Sequence, residues 1–231
     1  MQGVDRLRRY LESRGLSGRF PDALTLTREP YYIDGQDWGD FYVMSAEIHS
    51  PAGELVSRHR TYLSDRDDGK LIRIDDQAVD ARKLAKGKIP KGSAIRLSPI
   101  GDVLAIAEGI ETALAVREGS GALCWSCVSA VGIQNFIPPS EVRLVEIWGD
   151  NDASGIGQKA AATASRRLRE EGFEVRLVLP TEEGEDWLDV LNRAGEDVML
   201  SARERASKLW ASSPKGREAF EEALLREVLG L

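Results

Sequence analysis

Residues 143–155 read Arg-Leu-Val-Glu-Ile-Trp-Gly-Asp-Asn-Asp-Ala-Ser-Gly, an apolar run that leads directly into a turn with two aspartates. A short apolar run of this kind is typical of a strand buried in a parallel sheet. Similar runs lie at residues 103–107, 122–128 and 173–179, and helical patterns follow the first run and the one at 143–149. Because strands and helices alternate, the sequence predicts an α/β fold with a parallel sheet flanked by helices.

The first hundred residues predict a smaller α+β segment. Residues 4–14 have the apolar spacing of a short helix. Residues 41–63 alternate in polarity on both sides of Ser50-Pro51-Ala52-Gly53, which predicts a β-hairpin. Residues 64–101 are polar and glycine-punctuated, and we expect a loop with a short helix there.

Two helices are predicted after residue 195, the second beginning at Ser213-Pro214 and carrying an apolar stripe. The chain therefore divides into an N-terminal segment (1–100), a central α/β domain (101–196) and C-terminal helices (197–231). We interpret the stripe as a face that packs on the domain, with a docking helix as the alternative.

Composition excludes several classes of protein. The chain has 231 residues, two cysteines and a net charge of −7. No apolar stretch approaches the roughly 20 residues of a membrane span, and the N-terminus lacks the apolar core of a signal peptide. Two cysteines cannot build a disulfide framework, so we expect a cytoplasmic protein.

The charge is unevenly distributed along the chain. Residues 1–100 have a balance of +2 (17 basic against 15 acidic), whereas residues 101–231 have a balance of −9 (14 against 23). Six cations lie between residues 82 and 96 without an intervening acid. A basic stretch therefore precedes an acidic half.

Carboxylates follow three of the predicted strands. Glu108 follows the first run, Asp150 and Asp152 follow the run at 143–149, and Asp186 and Asp189 lie beyond the last. Ligands bind beyond the carboxyl ends of parallel strands, and like charges held together need a neutralising partner. A lone Asp-x-Asp pair is better explained by helix capping, with Asp150 and Glu108 each capping the helix that follows, but acids at three strand ends favour a site for Mg²⁺ or Mn²⁺.

These residues carry a resemblance to a known superfamily. Residues 104–114 resemble the glutamate motif of the Toprim domain, residues 149–155 its D-x-D motif, and residues 185–191 the third acidic motif of Toprim primases. Within the superfamily the chain is most similar to the primases of phages, plasmids and other mobile elements. Their N-terminal segment often has a pattern like His59-Arg60-Thr61-Tyr62-Leu63, followed by a Lys/Gly stretch.

The resemblance implies DNA primase activity, that is, metal-dependent synthesis of short primers on single-stranded DNA from nucleoside triphosphates. It implies that Glu108 acts as general acid/base or metal ligand, and that Asp150 and Asp152 hold Mg²⁺. Asp186, with Asp189, would support a second ion. Gly109, Gly149 and Gly155 would give the backbone room at the site.

Nucleic-acid or nucleotide contacts are expected from the basic part of the chain. The candidates are Arg58, Arg60, Lys83, Lys86, Lys91 and Arg96, with Tyr62 as a platform on which a base could stack. For any one of these residues, a solvated loop or an ordinary sheet surface is the alternative interpretation.

Other functions stay open at this point. The same acids could cleave phosphodiesters in a Toprim nuclease, and the chain could instead be a non-catalytic module that binds single strands or recruits a helicase through its C-terminal helices. A topoisomerase is disfavoured because all five tyrosines precede residue 100. Cys124 and Cys127 have C-x-x-C spacing, but we interpret them as core residues and expect no zinc site.

Overall fold

The structure is a computed structural model that describes residues 2–85 and 88–212. The helices are α1 (Gln2–Ser13), α2 (Ile110–Ser120), α3 (Ala130–Asn135), α4 (Ile156–Glu170) and α5 (Trp187–Ser212). The first strands are β1 (Leu24–Ile33), β2 (Gln36–His49), β3 (Leu55–Tyr62), β4 (Arg73–Ile74), β5 (Gln77–Ala78) and β6 (Arg82–Leu84). The later strands are β7 (Ala94–Ile95), β8 (Val103–Ala107), β9 (Cys124–Ser126), β10 (Leu144–Trp148) and β11 (Glu174–Val178).

One mixed sheet of nine strands organises the molecule. Its order is β11-β10-β8-β9-β7-β2-β3-β6, with β1 paired to β2, while β4 and β5 form a separate small ribbon. The first four strands in this order are mutually parallel, and the others pair in antiparallel fashion. The predicted α/β fold with a flanked parallel sheet is confirmed.

Helices cover both faces of the parallel strands, which explains why these strands are apolar throughout. Alternate residues of β8 enter two different cores, since side chains of a strand point to opposite faces. Leu104 and Ile106 pack with residues of α3 and α4, whereas Ala105 and Ala107 pack with residues of α1, α2 and α5. Each fully buried leucine or isoleucine contributes about 1.5–3 kcal/mol.

The N-terminal hairpin is present, and the structure adds elements that its sequence pattern does not predict. Strands β2 and β3 pair around the turn at Ser50–Gly53, as predicted. Strand β1 is an additional element, with a register shift between Pro30 and Tyr32. The short helix expected in residues 64–101 is wrong for the described residues of that range, which form short strands and turns instead.

The C-terminal helices begin earlier than predicted. Helix α5 starts at Trp187 and is interrupted by a non-helical backbone at Gly195 (φ 76°, ψ −175°). The predicted last helix at residue 213 and beyond lies outside the described residues. The three-part division of the chain stays a prediction, and the pairing of Ile95 with Ser126 joins its first two parts in one sheet. Within residues 2–85 and 88–212, no helix has the length and apolar character needed to cross a bilayer.

Candidate active site

The carboxyl edge of the parallel strands carries the acidic residues. Glu108 directly follows β8, and Asp150 follows β10 after Gly149. Both lie in one cleft of about 130 Å³ together with Asp186, which directly precedes α5. The structure therefore brings together acids from the three predicted motifs.

Two side chains hold the second and third motifs side by side. The indole Nε1 of Trp187 donates a hydrogen bond to the carbonyl of Gly149 at 3.0 Å. The Asn151 amide donates to the carbonyls of Pro180 and Glu182, both at 3.1 Å. Backbone bonds between Asn151 and residues 184–185 complete this junction. The pattern of acids identifies the motifs, but it does not reveal Asn151 as their connection.

Asp152 caps helix α4. Its carboxylate accepts hydrogen bonds from the N–H of Gly157 at 2.7 Å and of Ser154 at 2.9 Å, and the Ser154 hydroxyl also donates to it. Burial opposes ionisation, but these donors together lower the pKa of Asp152. Gly155 supports the same turn with a left-handed backbone (φ 71°).

Asp186 and Asp189 form a reciprocal cap at the start of α5. The Asp186 carboxylate accepts from the N–H of Leu188 and Asp189, at 2.7 and 2.9 Å. The Asp189 carboxylate accepts from the N–H of Asp186 at 3.1 Å. This arrangement fixes Asp186 at the cleft, as a capping box fixes a helix start.

Glu108, Asp150 and Asp186 resist ionisation. Burial, together with the nearby carboxylates of Asp186 and Glu108, raises the pKa of Asp150 to about 7. Burial also raises the pKa of Glu108 and of Asp186. The Oδ1 atom of Asp150 is buried and has no hydrogen-bond partner in the part of the chain that the structure describes. An unpaired buried oxygen among like charges is a position that a cation would stabilise.

The carboxylates of the cleft are chemically suitable ligands for a hard divalent cation, but they do not form a preassembled coordination site. Carboxylate oxygens are the ligands that Mg²⁺ and Mn²⁺ prefer. No group of three or more His, Cys, Asp or Glu side chains in the described residues has the geometry of a metal centre. Because Mg²⁺ usually retains several waters and uses one or two carboxylates, such a cage is not required.

Cations also line the cleft. Arg14, Lys70 and Arg82 lie among its lining residues together with Glu108, Asp150 and Asp186, and we call these three cations the cationic wall. Arg82 belongs to the basic stretch but is not among the contacts predicted from the sequence. Arg14 and Lys70 are not among them either. The sequence gives little indication of a role for Lys70, because this residue lies in a polar loop and reaches the site only in the folded chain.

Tyr62 is not available to stack a base, and that prediction is wrong. Its ring is 2% exposed and packs edge-to-face on Tyr31 with centroids 4.8 Å apart, while its hydroxyl donates to the carbonyl of Pro30. The ring belongs instead to a small apolar cluster that includes residues of β1 and β2.

The predicted cationic contacts are spread over the antiparallel part of the sheet. Arg58 pairs with Glu47 at 3.1 Å, and Arg60 pairs with Glu29 at 3.2 Å. The remaining candidates lie on β6 and in the segment that follows it. Lys83 donates to the carbonyl of Tyr32, Arg96 donates to the carbonyl of Ser50 and Lys91 is exposed, while Lys86 lies outside the described residues.

Two further predictions concern small and sulfur-containing residues. A Cβ on Gly149 would lie 2.8–2.9 Å from Leu179 and Ala161, so glycine permits close packing there. Gly109 has an ordinary backbone (φ −86°) and room for a Cβ, so neither its conformation nor its packing requires glycine, and its role at the site stays a prediction. Cys124 and Cys127 are buried in the core, and burial raises the pKa of both thiols.

Comparisons with known proteins agree with this arrangement. Residues 103–197 match the Toprim domain family, and residues 4–97 match a domain of unknown function, DUF7146. A comparison with curated protein sequences finds no match.

Three solved structures illustrate the shared fold. The zinc-binding and RNA polymerase domains of Aquifex aeolicus primase align with 14% identity and a TM-score of 0.54, over 98% of this chain and 66% of that one. The DnaG primase catalytic domain bound to single-stranded DNA aligns with 15% identity and a TM-score of 0.54, over 100% and 92%. The primase fragment of the bacteriophage T7 primase-helicase protein aligns with 14% identity and a TM-score of 0.53, over 84% and 68%.

Proposed function

Because residues 103–197 form a Toprim domain within the fold of primase catalytic cores, we propose that this protein is a metal-dependent, primase-like nucleotidyltransferase. It would synthesise short primers on single-stranded DNA. The observation that carries the proposal is the meeting of Glu108, Asp150 and Asp186 in one cleft that the cationic wall also lines. This combination suits a reaction that needs both a divalent cation and a polyphosphate.

The acids would hold the cation and manage protons. Asp150, whose Oδ1 has no partner, is the central candidate ligand, with Asp186 and Glu108 beside it. Mg²⁺ or Mn²⁺, when bound, lowers the pKa of an attacking 3′-hydroxyl and neutralises charge on the phosphate. Asp152 and Asp189 stay predicted ligands, and their capping bonds keep the two loops in place.

The cationic wall would bind the triphosphate. A nucleoside triphosphate brings several negative charges next to carboxylates, and Arg14 and Arg82 offset them. Arginine forks donate two parallel hydrogen bonds to phosphate oxygens, which fixes the orientation as well as the charge. The template strand would run over the antiparallel part of the sheet, where the exposed Arg58 and Lys91 lie.

A primer-synthesis assay tests this function. Purified protein receives single-stranded DNA, labelled nucleoside triphosphates, and Mg²⁺ or Mn²⁺ in turn. We expect short template-dependent products, and we expect Asp150→Asn and Glu108→Gln each to reduce their rate at least 100-fold, because each removes a charge at the reacting phosphate. Asp197→Asn is the control, since Asp197 is exposed on α5 and outside the cleft.

Two outcomes would contradict the proposal. Metal-dependent shortening of the DNA without synthesis would indicate a Toprim nuclease. Single-strand binding without either reaction would indicate a non-catalytic module. A mobile-element setting and a helicase partner stay part of the proposal, and of the C-terminal helices (197–231) predicted to dock the helicase, the structure describes residues 197–212.

A further inference from the structure

A buried polar cluster lies in the cationic wall and is not explained by the proposed chemistry. It consists of Tyr10 on α1, Lys70 in the loop of residues 64–71, and Glu111 in the first turn of α2. Lys70 Nζ lies 2.6 Å from Oε1 of Glu111, and the Tyr10 hydroxyl donates to the same oxygen. Three separate parts of the chain thus meet at one carboxylate.

This cluster is built for a charged carboxylate. Burial of Glu111 opposes its ionisation, but the ammonium of Lys70 and the hydrogen bonds from Lys70 and Tyr10 lower its pKa to about 2. The Tyr10 ring is 1% exposed, so its hydroxyl is committed to this contact. Burying an ion pair costs desolvation free energy. The presence of this pair therefore argues that the fold places Lys70 precisely.

The loop that carries Lys70 is fixed from the same side. Arg9 pairs with the Asp68 carboxylate at 3.2 Å, and the Ser13 hydroxyl donates to the Asp68 carbonyl at 2.8 Å. Lys70 itself forms a β-bridge with Leu63. Helix α1 therefore holds both the loop and the tyrosine that contacts Glu111.

Lys70 keeps donors for a ligand. An ammonium has three N–H groups, and Glu111 uses one of them. The Lys70 side chain is 27% exposed and lines the cleft with Glu108 and Asp150. Within residues 2–85 and 88–212 the ammonium has no second partner, so its remaining donors are available to an anion that enters the cleft.

We infer that Lys70 is a further residue that contacts the phosphates of the incoming nucleotide, and that Glu111 and Tyr10 are its positioning residues. The inference rests on the proposed function, and it extends that function to an N-terminal helix. Glu111 then has a different task from Glu108, although both belong to the same short motif.

The test uses the full chain and an ATP analogue whose α,β-bridging oxygen is a methylene group, so that transfer cannot occur. With Mg²⁺ present, we expect Lys70→Met to raise the Kd at least tenfold, since it removes charge-assisted hydrogen bonds. Lys70→Arg is expected to stay within about threefold of the wild type because it restores the charge. Lys208→Met, at an exposed lysine on α5, is the matched control and is expected to leave the Kd unchanged.

Tyr10→Phe separates positioning from a structural role. It is expected to raise KM for ATP in primer synthesis about threefold while kcat stays within twofold, because Tyr10 does not line the cleft. Tyr31→Phe is the matched control, since it also removes a buried hydroxyl with one hydrogen bond, to the Asp80 carbonyl. It is expected to lower stability without changing KM.

The outcomes separate the inference from the function on which it rests. If the wild type binds the analogue and Lys70→Met binds it within twofold as well, the inference is overturned and the proposed function stands. If Tyr10→Phe and Tyr31→Phe change KM equally, the positioning role is overturned. If the wild type does not bind the analogue, the proposed function fails and the inference fails with it.

Discussion

Asp150 and Asp152 are two residues apart, yet the structure gives them opposite electrostatic environments. Hydrogen bonds at the start of α4 lower the pKa of Asp152, whereas burial raises that of Asp150 to about 7. The sequence predicts both as site residues but cannot tell their roles apart, because an Asp-x-Asp pair fits helix capping as well as metal binding. The capping alternative concerns Asp150 and Glu108, yet the hydrogen bonds at the start of α4 go to Asp152, while the buried Oδ1 of Asp150 has no partner among the described residues.

The pKa of Glu111 predicts a specific dependence of stability on pH. A carboxylate with a lowered folded-state pKa stabilises the protein fully above its unfolded pKa near 4.5, and it loses that contribution as pH falls toward 2. The difference in unfolding free energy between wild type and Glu111→Gln is therefore expected to shrink by about 1 kcal/mol from pH 6 to pH 4. Urea titrations at both pH values measure it.

The exposed Asp197 supplies the control for this measurement. Asp197→Asn is expected to differ from the wild type by the same amount at both pH values. A difference for Glu111→Gln that does not change with pH would show that its carboxylate is not held in the ionised form by Lys70 and Tyr10.

Helix α5 is attached to the sheet by a buried ion cluster that lies away from the active cleft. Glu146 in β10 is fully buried, and its carboxylate accepts from Arg203 of α5 at 2.9 Å and from Arg176 of β11 at 3.0 Å. Arg203 also donates to the carbonyl of Ser120 at the end of α2. The apolar run predicts β10 correctly, but it does not indicate that Glu146 pairs with Arg203, which lies 57 positions later in the chain.

Replacing Glu146 with leucine is expected to lower the unfolding free energy by about 3 kcal/mol, because it leaves two cations beside the core without their common partner. Asp102→Asn is the matched control, since Asp102 and its partner Arg143 are more than half exposed, and solvent screens such a pair, so a much smaller loss is expected. Chemical denaturation at pH 7 measures both. Equal losses of unfolding free energy for the two variants would show that burial of Glu146 does not increase the stabilising effect of its ion pairs.

At the scale of the whole molecule, the N-terminal segment and the central domain share one sheet and one core cluster, which the sequence does not indicate. Residue pattern locates the parallel strands because each is an apolar run, but it does not show how the N-terminal hairpin joins them. That junction depends on β7, a two-residue strand that pairs with β2 on one side and β9 on the other. One core cluster also combines Leu7 and Met44 with Leu114 and Trp148. Tertiary contacts between distant segments decide such features, and local periodicity does not record them.

This shared core predicts cooperative unfolding of the two segments. Fluorescence of Trp38, in β2, reports on the N-terminal segment, and fluorescence of Trp148 reports on the parallel strands. Each variant retains one of these two tryptophans and has phenylalanine at every other tryptophan position. The urea midpoint of each variant is divided by the unfolding free energy that calorimetry gives for the same variant. The two ratios are expected to be equal. Two separated transitions within one variant, or unequal normalised midpoints, would show that the segments fold independently.

The cationic strand β6 also affects how the molecules behave toward one another. It forms one end of the main sheet, and the end of a sheet presents unpaired backbone groups to which a strand of a second molecule could add. Here that end is only three residues long and carries Arg82 and Lys83. Short, positively charged ends repel their own kind, so the cations of β6, one of which lines the cleft, are expected to disfavour aggregation through this end of the sheet.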